Sequence, residues 1–165
     1  MNGHPFNHGD PLAFLITWTT YGGWLPGDVR GWHEKNHSGV KRPNEFLVGV
    51  AESRMKETSC YLTQEMRETV EAVVHRHCEI RHWLLYAVNA RSNHVHAVIA
   101  AAHHKPNVIR DQLKAWCTRR LNTVVPHRVR FWTEGGSCRW INQEDDLEQA
   151  IFYVREGQDR KWLDL

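Results

Sequence analysis

Apolar and polar positions alternate with a period of two over residues 13–19: Phe14, Ile16 and Trp18 face one way, Leu15, Thr17 and Thr19 the other. This pattern predicts a β-strand largely covered on both faces. Further on the period becomes helical. Met66, Val70, Val73, Val74 and His77 recur at helix spacing, Thr63 stands where an N-cap belongs and Glu65 falls in the first turn. A long helix is therefore predicted to start after Thr63 and to pack one face on a sheet. Arg67, Glu68, Glu71 and Arg76 occupy its other faces and read as solvated charge. Residues 83–90 return to strand patterning, and the short Arg91-Ser92-Asn93 link into the β-branched run after His94 predicts an antiparallel hairpin. Val108, Ile109, Leu113, Trp116 and Leu121 mark a second helix over 107–122. Residues 129–132 and 137–141, joined through Glu134-Gly135-Gly136, read as the last strands. A third helix over 144–156 follows, with Leu147, Ala150, Ile151 and Val154 as its buried stripe and Asn142, Asp145 and Asp146 as cap and first-turn anions. The order strand, helix, strand, strand, helix, strand is that of an α+β, ferredoxin-like split βαβ fold. It predicts an antiparallel sheet with helices on one face, plus a C-terminal helix carrying Tyr153.

Residues 21–56 follow neither period. Gly22, Gly23, Pro26, Gly27, Gly31, Gly39 and Pro43 make most of this stretch an irregular insertion, and 46–56 reads as a short strand or turn leading into the first helix. Trp24, Asp28, Arg30 and Trp32 are unusual residues for a plain linker. The tryptophans either fold the loop back onto the sheet or stack on bases, and different residues can do each. At 165 residues the chain reads as one domain, 1–165, long enough to bury a core. No stretch is apolar enough to cross a bilayer and the first ten residues lack the pattern of a signal peptide, so a soluble, cytoplasmic protein is expected. The four cysteines stand far apart, which suggests neither a zinc knuckle nor a disulfide framework. Net charge is only +2, so any nucleic-acid role must rest on local basic patches. Lys114, Arg119 and Arg120 on the second helix, with Trp24 and Arg30 in the insertion, are the candidate DNA contacts.

Two histidines separated by one residue in a strand present both imidazoles on one face, and His94-Val95-His96 does so while Val95 turns to the core. They form a potential pair of metal ligands, although two histidines can also fall on a wet strand face without a role. Tyr153 lies beside the third helix's buried stripe, where it can reach the margin of a cleft; most helix tyrosines simply pack, with a wet hydroxyl.

The histidine pair on a strand of this element order is joined by the late segment Ala150-Ile151-Phe152-Tyr153-Val154-Arg155-Glu156-Gly157-Gln158 and the early segment Trp18-Thr19-Thr20-Tyr21-Gly22-Gly23-Trp24-Leu25-Pro26-Gly27-Asp28. Together they resemble the single-tyrosine HUH transposases, particularly the REP-associated tyrosine transposases, over residues 12–159. The resemblance implies a metal-dependent single-stranded DNA endonuclease and strand-transferase that recognises DNA hairpins. Its cofactor would be magnesium or manganese, held by His94, His96 and a polar residue on the tyrosine helix. Tyr153 would attack the scissile phosphorus, leaving a 5′-phosphotyrosine and a free 3′-hydroxyl. A free tyrosine, with a pKa of about 10, is a poor nucleophile at neutral pH, so the site must stabilise charge on the phosphate and assist loss of the phenolic proton. In insertion-sequence members the third ligand is typically a glutamine one helical turn after the tyrosine. Position 157 here is glycine, which leaves Glu156, nearer the Tyr153 face of an ideal helix, and Gln158, favoured by the resemblance. The implied partner is single-stranded or hairpin DNA, with a homodimer as the candidate assembly and no membrane.

Two other classes compete. A non-catalytic nucleic-acid-binding module would stack bases on Trp18, Tyr21 and Trp24 and ignore chelators. A metal-dependent hydrolase or oxygenase built on His94 and His96 would turn over small molecules and form no covalent DNA adduct.

Overall fold

The computed structural model describes residues 9–34 and 36–157. Strands β1 (Ala13–Thr19), β2 (Leu84–Ala90), β3 (His94–Ala100) and β4 (Ser137–Ile141) form one antiparallel sheet in the order β2-β3-β1-β4. Around it lie α1 (Glu45–Ser53), α2 (Gln64–Arg81), α3 (Pro106–Val124) and α4 (Glu144–Phe152), which runs into a π-helical turn, Tyr153–Gly157.

The alternation along the two central strands decides which side each helix takes. Ile16 and Trp18 of β1, with Val95, Ala97 and Ile99 of β3, pack with Val70 and Val74 of α2 and Ile109, Leu113 and Leu121 of α3. Their neighbours Ala13, Val98 and Ala100 belong to a smaller cluster on the opposite face, with Ile141, Leu147, Ala150 and Val154. The sheet is therefore sandwiched, with α2 and α3 on one side and α4 on the other.

Local chemistry accounts for the boundaries. Thr63 caps α2, its side chain accepting from the Met66 amide at 3.3 Å. β4 is reached through a turn in which the Lys114 ammonium donates to the carbonyls of Thr133 at 2.7 Å and Gly135 at 2.8 Å. Gly136 follows at φ +146°, and a Cβ there would run into the Thr17 carbonyl oxygen, so only glycine lets the turn lie against β1.

Several expectations are corrected. Residues 45–53 form helix α1, neither strand nor turn; Asn44 caps it by accepting from the Leu47 amide, and it buries no residue. Its apolar residues Leu47, Val48 and Ala51 share one face but are only partly buried, so the cap marks its start more plainly than a core stripe does. Residues 129–132 form no strand: Trp132 makes an isolated bridge to Thr20, and the amides of Val129 and Arg130 donate to the Glu57 carboxylate. β4 pairs with β1, with no hairpin partner from that segment. The third helix is N-capped at Gln143 without a side-chain bond, leaving Asn142 outside the cap. Glu71 is more than solvated charge, since its carboxylate accepts from the Ala90 amide at 2.8 Å and ties α2 to the end of β2.

The insertion folds back on itself. Asp28 accepts from the Arg30 side chain through Nε and Nη2, both at 2.7 Å, and from its backbone amide at 2.9 Å. These bonds hold the Asp28 carboxyl below the usual carboxylate range. Arg30 also donates to the Gly23 carbonyl and stacks 4.0 Å over the Trp24 ring, whose Nε1 donates to the Gly31 carbonyl.

Two glycine substitutions should part company. Gly136→Ala is expected to destabilise the protein by roughly 1–3 kcal/mol, because the backbone must shift or strain. Gly49→Ala, in the interior of α1 where a new Cβ meets nothing, should be neutral or stabilising by up to about 1 kcal/mol. Urea unfolding of both variants measures the difference.

Candidate active site

The site grows from one row of the sheet. His96 is paired in register with Thr17 on β1 and with Asn89 on β2, and His94 is paired with Thr19. Strand alternation puts both histidines on the face covered by α4, with fully buried Val95 turned to the other side. Their ring centroids are 4.6 Å apart. Each Nδ1 meets an oxygen: His96 that of the Thr17 hydroxyl at 2.6 Å, His94 that of the Asn93 amide at 2.7 Å. His96 is only 8% exposed. Burial, reinforced by His94 and Arg91, lowers its pKa to about 3, so the imidazole is neutral at physiological pH and keeps a lone pair for a ligand.

Tyr153 comes to this row from the last element. The α-helical pattern ends at Phe152, and Tyr153 opens the π turn with its ring centroid 5.4 Å from that of His96. Single π turns inside helices are rare and frequent at functional sites. Two bonds dock this turn on edge strand β2: Asn89 donates through its amide to the Val154 carbonyl at 3.0 Å, and Arg155 donates to the Tyr86 carbonyl at 2.9 Å. The fully buried Val154 side chain fixes the turn from below.

Two imidazoles on one face, each with Nδ1 bonded to an oxygen, suit a divalent ion bound through Nε2, with oxygen donors or water completing the set. Among the described residues no cluster of three or more His, Cys, Asp or Glu side chains forms, so exposed Glu156 is not grouped with the pair. Gln158 lies outside the described residues.

The sequence-predicted DNA contacts fall in three separate places. Trp24 and Arg30 stack on one another in the insertion, and half-buried Lys114 holds the turn before β4. Arg119 and Arg120 line an open groove of about 1100 Å³ between α2 and α3, with Arg119 4.8 Å over the Trp116 ring. That groove lies across the sheet from the histidines. Thr17 and Asn89 were not singled out from sequence. The available signal was a polar residue inside a strand pattern, on the same face as the histidines once register is known.

The family profile described as "Transposase IS200 like" matches residues 52–156, well over half the chain. The chain belongs to the IS200-like transposases. The family carries a transposase-like function, enzymatic cleavage of DNA. Two solved structures share the fold. A protein provisionally described as a transposase, from Deinococcus radiodurans R1, superposes with a TM-score of 0.54 at 14% identity, over 93% of this chain and 95% of that one. A REP-associated tyrosine transposase bound to a REP hairpin gives 0.55 at 7% identity, over 98% of this chain and 74% of that one. A comparison with curated proteins gives no match. Among the described residues, no helix of this IS200-like transposase is long and apolar enough to cross a membrane.

Asn89→Ala removes the side-chain bond to the Val154 carbonyl while leaving His94 and His96 in place. It should lower stability by only about 1 kcal/mol, the usual value of one such bond, and slow DNA cleavage several-fold. Calorimetry and single-turnover cleavage separate the two effects.

Proposed function

We propose that this protein is a metal-dependent, single-stranded DNA endonuclease and strand-transferase that acts through a 5′-phosphotyrosine on Tyr153 and recognises DNA hairpins. The observation that carries this reading is the Tyr153 ring packed against His96, beside His94, on one face of the sheet. A purely structural tyrosine after α4 has no need of a histidine pair, and a purely structural histidine pair has no need of a π turn beginning at the tyrosine.

His94 and His96 would hold a magnesium or manganese ion through Nε2. When bound, the ion supplies positive charge beside the scissile phosphate, where the displacement builds up negative charge. The remaining steps belong to the chain. The Tyr153 hydroxyl attacks phosphorus, the bond from phosphorus to the 3′-oxygen breaks, and the phenolic proton is balanced by the one taken up by the leaving 3′-hydroxyl. Attack by another strand's 3′-hydroxyl on the phosphotyrosine reverses these changes and rejoins DNA without a nucleoside triphosphate. Tyr153 packs on His96 of the same chain, and a homodimer would serve DNA binding or synapsis.

For the third donor we favour Gln158. The resemblance implies a glutamine about one helical turn after the tyrosine, position 157 is glycine, and Gln158 is the next residue able to donate an oxygen. The partner would be single-stranded or hairpin DNA, as in the REP hairpin held by the structurally similar transposase. Arg119 and Arg120, with Trp24 and Arg30, remain the proposed contacts on separate surfaces, and Lys114 would act by holding the turn before β4.

Tyr153→Phe keeps the ring and removes the attacking atom. It should fold and bind DNA normally yet give no covalent band with labelled single-stranded DNA on a denaturing gel, whereas Tyr61→Phe keeps the band. An adduct at wild-type yield from Tyr153→Phe sinks the assignment. His94→Ala, His96→Ala and Gln158→Ala should each weaken manganese binding on the order of 10-fold or more, while Glu156→Ala leaves it unchanged. Hairpin or single-stranded DNA should outbind duplex of equal length, with affinity falling as salt rises. Binding that ignores chelator and forms no adduct would favour the non-catalytic module.

A further inference from the structure

The two histidines are oriented by different devices. His94 is held by the side chain of Asn93, its neighbour in sequence, whereas His96 is held by Thr17, a residue 79 positions away on the adjoining strand. Thr17 is the direct cross-strand partner of His96, and its other partner across the sheet is Ser137 of β4. Its backbone is therefore fixed from both sides, and its carbonyl is packed against Gly136. A β-branched side chain in a strand has few χ1 choices, so the hydroxyl is aimed before any ligand arrives. The hydroxyl oxygen lies 2.6 Å from His96 Nδ1, close enough for a hydrogen bond between them.

We infer that Thr17 is a positioning residue of this site: its hydroxyl oxygen accepts a hydrogen bond from Nδ1–H of His96 and so keeps the Nε2 lone pair available to a divalent cation. The inference rests on the proposed metal site and adds to it the group that selects the ligating tautomer. A neutral imidazole carries one proton on one of its two nitrogens, and only the other can bind metal. Because His96 is buried, water offers Nδ1–H little alternative partner. Without the hydroxyl, the proton is better placed on Nε2, where it blocks coordination. Partners of this kind, one bond removed from the metal, typically contribute 10–100-fold in affinity.

Thr17→Val tests this, since valine keeps the volume and branching and removes the acceptor, with Thr17→Ser as the conservative rescue. Long-range proton–nitrogen NMR on the metal-free, full-length protein reads the His96 tautomer. Nδ1–H is expected in wild type and Thr17→Ser, and Nε2–H in Thr17→Val. Calorimetry with manganese should show affinity lowered about 10–100-fold in Thr17→Val and largely restored in Thr17→Ser, with similar melting temperatures for all three. Nε2–H in the wild type, or a Thr17→Val protein with wild-type tautomer and affinity, overturns the role of Thr17 and leaves the metal site standing if His96→Ala still loses manganese. A wild type that binds no manganese overturns the metal reading itself. The orienting role is then decided by the tautomer measurement, which needs no metal.

Discussion

A slip of one residue between β1 and β3 would turn every side chain of one strand to the opposite face. His94 and His96 would then be pressed among Val70, Val74 and Leu113, and the site would lose both imidazoles. The apolar face forbids it. Ile16, Trp18, Val95, Ala97 and Ile99 are fully buried against α2 and α3, and exposing even part of that set would forfeit about 25 cal/mol for each Å² of apolar surface returned to water. The geometry of His96 with Thr17 and Asn89 is thus enforced from the far side of the sheet, by residues that never touch the chemistry.

The two faces divide the work. The α2 and α3 side carries the larger core and the buried cysteines Cys60, Cys78 and Cys117, whose thiols are pushed up by burial, Cys78 to about 12, and which are all free. The α4 side has a smaller apolar cluster and relies on hydrogen bonds from Asn89 and Arg155 to seat the tyrosine turn. Elements held by few apolar contacts and by bonds at an edge strand open more readily than a core, so the tyrosine turn is the part of this face best able to move.

Much of the scaffold was legible because burial writes a period into the sequence. The alternation of Phe14, Ile16 and Trp18 gave β1 its observed bounds, and the stripe from Met66 to His77 with Thr63 before it located α2 and its cap. The histidine pair was legible for the same reason, since a strand period fixes which side chains share a face. What escaped depends on local bonds and not on a deeply buried stripe. α1 buries nothing, 129–132 is held by Glu57 and not by a ladder, and the π turn at Tyr153 differs from an α-helix in hydrogen-bond closure, which composition does not record. Thr17 escaped because its meaning depends on strand register with a residue 79 positions away, and Asn89 because it bonds a carbonyl in a turn 65 positions further on.

The position of the tyrosine turn after β4 also sets an order of assembly during synthesis. Domains emerge from the ribosome N-terminus first, and by the time β3 has paired with β1 the row of Thr17, His96 and Asn89 can already be formed. The turn that carries Tyr153 is made after all four strands. A chain halted or clipped in the stretch between β4 and Tyr153 would keep its paired histidines and lack the ring that packs on them.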